Sequence, residues 1–128
     1  MRALLDTHVF LWLVATPARV GSAVEVLSRD STELLLSAAS SWEIALKHQL
    51  GKLPLPDRPN RYVPEAARRT GVRLVAVEHA DALGVADLPQ HHRDPFDHLL
   101  LAATRRLDAV LVTADAAMDA YDVPMLRV

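Results

Sequence analysis

The chain has no cysteine among its 128 residues. That removes two classes at once: a disulfide-stapled scaffold and a thiolate zinc centre. With no disulfide to maintain, the expected setting is the reducing cytoplasm. Aromatic residues make up only 5% of the sequence, so the core has to be built from aliphatic side chains and alanine. A basic excess is missing as well. Fourteen Lys and Arg stand against 16 Asp and Glu, for a formal charge of −2. This argues against a protein that coats nucleic acid through a bulk positive field, while leaving room for a local basic rim beside an acidic site. No run of about 18 or more apolar residues occurs, so nothing reads as a membrane span. Val9 to Ala15 is apolar enough for a signal-peptide core, but Asp6 and His8 sit where that core would begin and only Arg2 precedes them. Self-similarity at a fixed spacing of about 20–50 residues, the mark of a repeat array, is absent too.

What is present is a hydrophobic content of 51% over a length suited to one compact domain, residues 1–128. Short apolar runs at Ala3–Leu5, Glu33–Ser37, Val72–Val77 and Ala109–Thr113 read as strands, with Met125–Val128 as an edge strand. Helical spacing fills the intervals. Val9, Phe10, Leu13 and Val14 recur on one helix face, with Thr7 as its expected cap and Pro17 as its stop. Ser22 to Arg29 follows as a short amphipathic helix. Ser40 and Glu43 fit a capping box for a helix that ends at Gly51. Beyond a proline-rich loop, Arg61 to Thr70 and Glu78 to Val85 return to helical spacing. Asp94-Pro95 then opens the clearest helix of the chain, which carries Phe96, Leu99, Leu100, Ala103 and Leu107. Asp115 to Ala120 reads as a last short helix. This alternation predicts a three-layer α/β/α sandwich around a central parallel sheet of about four to five strands. Right-handed crossovers and one reversal of strand order follow, with ligands expected beyond the strand C-termini at that reversal.

Four acids occupy the same topological place. Asp6, Glu43, Asp97 and Asp115 each lie just after a strand or in the first turn of a helix, and Asp94 stands beside them. Each has an ordinary explanation in helix capping or dipole complementarity. In a parallel sheet, however, strand C-ends and helix N-ends share one edge, so widely separated acids converge there. Crowded carboxylates repel and resist ionisation, and a divalent cation removes the conflict. An oxygen-only donor set points to Mg²⁺ or Mn²⁺, whose affinity for phosphate oxygens suits in-line displacement at a phosphodiester. Thr113 is placed to orient a carboxylate or a water.

The stretches Leu4-Leu5-Asp6-Thr7-His8-Val9-Phe10-Leu11-Trp12, Ser41-Trp42-Glu43-Ile44-Ala45-Leu46-Lys47, Arg93-Asp94-Pro95-Phe96-Asp97-His98-Leu99-Leu100 and Leu111-Val112-Thr113-Ala114-Asp115 together resemble the PIN-domain family. Within it they are similar to the VapC-type toxin ribonucleases of bacterial toxin–antitoxin pairs. The stretches occur in the family's order and span nearly the whole chain. The resemblance implies that Asp6, Glu43, Asp97 and Asp115 hold Mg²⁺ or Mn²⁺, with Asp94 outside the cluster or capping its helix. It further implies RNA as the substrate, a homodimer, and a cognate antitoxin protein that blocks the site.

Lys47, Arg93, Arg105 and Arg106 are candidates for contacts to RNA phosphates. His91-His92 could touch a metal or a phosphate, but reads first as a solvated loop pair. Trp12 and Trp42 read as core or dimer-contact residues rather than base-stacking platforms. The expected function is therefore a metal-dependent endoribonuclease, the alternative being a non-catalytic PIN-like module that binds RNA or protein. An aspartyl phosphatase of the haloacid type would want a second aspartate two residues after Asp6, where this chain has His8. A receiver domain would want a lone acceptor aspartate after a middle strand, and none fits.

Overall fold

A computed structural model describes all residues, Met1–Val128. Five parallel strands, β1 (Arg2–Leu5), β2 (Glu33–Ser37), β3 (Val72–Val75), β4 (Val110–Thr113) and β5 (Met125–Arg127), form one sheet in the order β3-β2-β1-β4-β5. The helices are α1 (Thr7–Ala15), α2 (Ala23–Leu27), α3 (Ala38–Gln49), α4 (Pro59–Thr70), α5 (His79–Gly84) and α6 (Pro95–Leu107). Short 3-10 turns at Pro17–Val20, Val85–Asp87 and Ala116–Ala120 complete the chain. The expected α/β/α sandwich with one reversal of strand order is what forms, and the reversal lies between β1 and β4.

The strands are nearly continuous apolar runs because both of their faces are covered. Ala3, Leu5, Leu34, Leu36 and Val112 point to one side, where they pack with Val9, Phe10, Ile44, Val63 and Ala66. Leu4, Leu35 and Leu111 point to the other, against Leu100, Leu101, Ala103, Met118 and Tyr121. Successive residues of one strand thus serve two cores, as the two-residue period demands. Most of this interior is aliphatic, in line with the scarcity of aromatics. Truncating one of its fully buried leucines to alanine would cost about 2–5 kcal/mol.

α4 begins at Pro59, two residues before the expected Arg61, and two helix caps differ from expectation in ways that bear on the site. The cap of α1 is Asp6, whose carboxylate accepts from the Thr7 N–H, and Thr7 is the first helical residue. The cap of α3 is Ser37, which accepts from the Ala39 N–H, so the expected Ser40–Glu43 capping box is not formed. The helix begins a few residues sooner because β2 runs into it without a loop, and Glu43 is thereby carried into its second turn. The third strand also ends early. Val77 has left the edge strand β3 and packs at the margin of the second core. Elsewhere α6 opens on Asp94 and Pro95 as expected, the Asp94 carboxylate accepting from the N–H groups of Phe96 and Asp97. No helix is long and apolar enough to cross a membrane.

Candidate active site

Strand register brings the first two residues of the site together. Ala3, Leu4 and Leu5 pair with Val110, Leu111 and Val112, so the next step along both strands sets Asp6 beside Thr113. The Asp6 N–H donates to the Val112 carbonyl (2.9 Å), and the Thr113 hydroxyl donates to Asp6 Oδ2 (2.7 Å). Asp6 Oδ1 accepts from the Thr7 N–H (2.7 Å). Both carboxylate oxygens are therefore held, one by the strand and one by the start of α1. Thr7 in turn donates its hydroxyl to Glu43 Oε1, and Lys47, one turn further along α3, pairs with Glu43 Oε2.

Asp97 enters from the first turn of α6, with Oδ2 against His92 Nε2 at 2.9 Å. Asp115 stands on the rim, capping the Ala116–Ala120 turn through the Ala117 N–H (2.9 Å) while its own N–H donates to the Thr113 hydroxyl (3.0 Å). Thr113 thus bridges two of the acids.

These groups line one cleft of about 310 Å³ beyond the strand C-termini at the β1/β4 switch, bounded by Asp6, Glu43, Asp94, Asp97, Asp115, His8, Trp12, Lys47 and Ala114. All four acids singled out from the sequence reach it, and so do Asp94 and Lys47. Five carboxylates face one lysine, and three of them, Asp6, Glu43 and Asp97, are between 4% and 7% exposed. Burial pushes the Asp6 carboxyl above its usual range, against the pull of its hydrogen bonds to Thr113 and Thr7, and the Glu43 charge adds to the push. For Asp97 burial is again the largest cause. With the charges of Asp94 and Asp6 added it outweighs the His92 hydrogen bond, and the carboxyl rises to about 7. Lys47 holds its proton more firmly than an ordinary lysine, chiefly through its hydrogen bond to Glu43.

The donor set suits a hard divalent cation. It offers carboxylate oxygens in excess of positive charge, in a cleft where burial, and then like charges, already suppress ionisation. No three of the His, Asp and Glu side chains close into a preformed cage. Mg²⁺ needs none, since it keeps several waters and binds through one or two carboxylates plus phosphate oxygens.

Other candidates are placed differently. Arg105 and Arg106 belong to the last turn of α6, about 12–14 Å along the helix from Asp97 at 1.5 Å per residue. Arg106 is committed to buried Asp81 through two contacts of 2.6 and 3.1 Å, so it is a structural partner there rather than a free phosphate ligand. Arg93 is exposed on the loop before Asp94 and outside the cleft lining. Trp42 is 54% exposed and meets Phe96 edge-on at 4.7 Å, which overturns its reading as a core residue. Trp12 packs at the margin of the first core while lining the cleft, with the Arg19 guanidinium 4.3 Å from its ring centre.

Two residues of the site escape the sequence reading. His92 is not a solvated loop residue: it is mostly buried and bonded to Asp97. His8 lines the cleft beside Trp12, one helical turn away. An imidazole immediately before the apolar stretch from Val9 to Ala15 was the available signal for His8. For His92 there was none, because its partner Tyr121 lies 29 residues away.

A family model described as PIN domain matches residues 3–124. The chain belongs to the PIN domain family. Over 47 residues this PIN domain is 53% identical to Ribonuclease VapC16 of Mycobacterium tuberculosis, a match covering 37% of the chain and 33% of that relative's length. The similarity to this curated relative thus spans a third of it. The fold is also that of VapBC2 from Rickettsia felis bound to a promoter DNA fragment, with a TM-score of 0.75 at 12% identity over 99% of this chain and 98% of that one. DNA-bound VapBC from Salmonella typhimurium gives 0.71 at 13% identity with the same coverage.

Proposed function

We propose that this PIN domain is a Mg²⁺- or Mn²⁺-dependent endoribonuclease and the toxin of a toxin–antitoxin pair. The observation that carries the reading is the convergence of Asp6, Glu43, Asp97 and Asp115 on one cleft whose only lysine is already paired. The similarity to Ribonuclease VapC16 supports the ribonuclease part, and the fold shared with the VapBC complexes supports the antitoxin part. A homodimer and an antitoxin that occludes the cleft belong to the same proposal.

In this reading Asp6 and Asp97 are the principal metal ligands, with Glu43 and Asp115 at the sides and Asp94 in reserve. A divalent cation there would favour ionisation of an attacking water and offset the charge that gathers on the phosphate. The chain's own part is to hold the carboxylates in place. Thr113 and the Thr7 N–H fix Asp6, while Thr7 and Lys47 fix Glu43. Lys47, part-exposed at the cleft, is the one candidate RNA contact well placed to meet a phosphate oxygen.

The test is incubation of the purified chain with total RNA in Mg²⁺, Mn²⁺ or chelator, beside Asp6→Asn and Asp97→Asn. Cleavage that needs the metal and is lost in both variants, with the fold retained, is the expected result. Equal cleavage by both variants would sink the site. Absence of cleavage under every condition would favour the non-catalytic binding module.

A further inference from the structure

A carboxylate in the first turn of a helix turns freely about its side-chain bonds unless something holds it. Asp6 is held at both oxygens and Glu43 at both of its own. Asp97 has one side-chain hydrogen bond, between its Oδ2 and His92 Nε2. Its orientation toward the cleft therefore depends on how firmly His92 is placed, and His92 sits on a loop, where side chains ordinarily roam.

This loop side chain is pinned on every side. His92 Nδ1 lies 2.7 Å from the Tyr121 hydroxyl, and the His92 backbone N–H donates to the same hydroxyl at 3.3 Å. The His92 carbonyl accepts from His98 Nε2 at 2.8 Å, which ties the loop to the residue that follows Asp97 in α6. Tyr121 is itself buried in the second core, with the His91 ring edge-on at 5.0 Å. Donors and acceptors run in one consistent direction. With Asp97 ionised, its carboxylate only accepts, so Nε2 carries the ring proton and donates it to Asp97. Nδ1 is then bare and accepts the Tyr121 O–H, whose oxygen takes the His92 backbone N–H.

We infer that His92, locked by Tyr121, is the positioning residue of Asp97: it fixes one oxygen of that carboxylate and leaves the other facing the cleft. The inference deepens the metal-site reading above and rests on it for its consequence in binding. Partners one shell out from a metal ligand typically alter metal affinity or activity about 10- to 100-fold when removed. Tyr121 acts only through the imidazole and touches no ligand.

Three variants test it: His92→Ala, which removes the ring; His92→Gln, whose amide N–H falls near the position of Nε2; and Tyr121→Phe, which keeps the ring and deletes the hydroxyl. Mn²⁺ binding followed by calorimetry is expected to weaken about 10-fold or more in His92→Ala and less in Tyr121→Phe, with His92→Gln restoring most of it. The second readout needs no metal. At a pH well above 7, where Asp97 is ionised, long-range proton–nitrogen NMR of the imidazoles should show His92 as a single tautomer protonated at Nε2. Its signals should move in both Tyr121→Phe and Asp97→Asn. A His92 ring that averages between tautomers and ignores both substitutions overturns the positioning role, whatever the metal does. Unchanged Mn²⁺ affinity in His92→Ala overturns it as well. Failure of the unaltered chain to bind Mn²⁺ overturns the metal-site reading instead, and the NMR result then decides the His92–Asp97 link by itself.

Discussion

Thr113 donates its hydroxyl to Asp6 at 2.7 Å across a separation of 107 residues, and the same oxygen accepts the Asp115 N–H at 3.0 Å. The end of β4 is thereby fastened to the end of β1 at the point where strand order reverses. Thr113→Val keeps the shape and removes the hydroxyl. It strands a buried carboxylate oxygen, at a cost of about 1–3 kcal/mol. Urea denaturation should register that loss. RNA cleavage should slow about 10- to 100-fold, as when other partners of metal ligands are deleted, while Thr113→Ser should retain both properties. A variant that loses stability but cleaves at the original rate would reduce Thr113 to a structural role.

Asp97 makes the metal-free protein prefer acid. In the unfolded chain its carboxyl has the ordinary value of 3.8, and in the fold burial and the neighbouring Asp94 and Asp6 charges raise it to about 7. Between those values the folded state binds the extra proton. The contribution to stability is therefore complete below about 3.8 and is lost as the pH climbs through about 7. Asp6, raised for similar reasons, acts in the same direction. Thermal melts in chelator should show the stability difference between Asp97→Asn and the unaltered chain growing in favour of the variant as pH rises across that window. Mn²⁺ should cancel the difference by stabilising only the unaltered chain. A difference independent of pH would contradict the raised carboxyl.

Glu43 shows both how the site could be read from sequence and where that reading stopped. Period-two strands and apolar helix faces are local signals, so the sheet, the order of its elements and the acids at its C-terminal edge were all legible. Helix starts are also local, but two serines competed for the start of α3. Ser40 with Glu43 looked like a capping box, whereas Ser37 at the end of β2 makes the cap. Spacing could not decide between them: β2 passes directly into α3, which sets the cap at Ser37 and leaves Glu43 to meet Thr7 from another helix. The His92–Tyr121 contact and the Arg106–Asp81 pair were hidden for the same reason, being set by packing between segments far apart in the chain.

Those two serines predict opposite outcomes. Ser37→Ala deletes a working cap and should cost about 1 kcal/mol. Ser40 is fully buried, and its hydroxyl has no partner. Ser40→Ala removes a polar group that has lost its water without gaining a replacement bond, so it should be neutral or stabilising. Paired denaturation curves decide the matter, and a larger loss at Ser40 than at Ser37 would restore the capping box.

Arg106 separates structural charge from RNA-binding charge. Asp81 is almost fully buried, caps α5 by accepting the Glu78 N–H at 2.9 Å, and is held by both the Nε and Nη2 of Arg106. Arg106→Ala leaves that carboxylate without its cation. The full penalty for breaking a buried pair is about 3–5 kcal/mol, and the part-exposed guanidinium side lowers the expectation here to roughly 2–3 kcal/mol. Cleavage per folded molecule should stay unchanged, because the pair lies at the far end of α6 from the cleft. Lys47→Ala should differ in activity. It too leaves a buried carboxylate, Glu43, without its cation and should lower stability, but its loss should in addition raise the KM for RNA and flatten the salt dependence of binding. Should Arg106→Ala instead raise KM at unaltered stability, RNA would have to run along α6 and the cleft would be only one end of the binding surface.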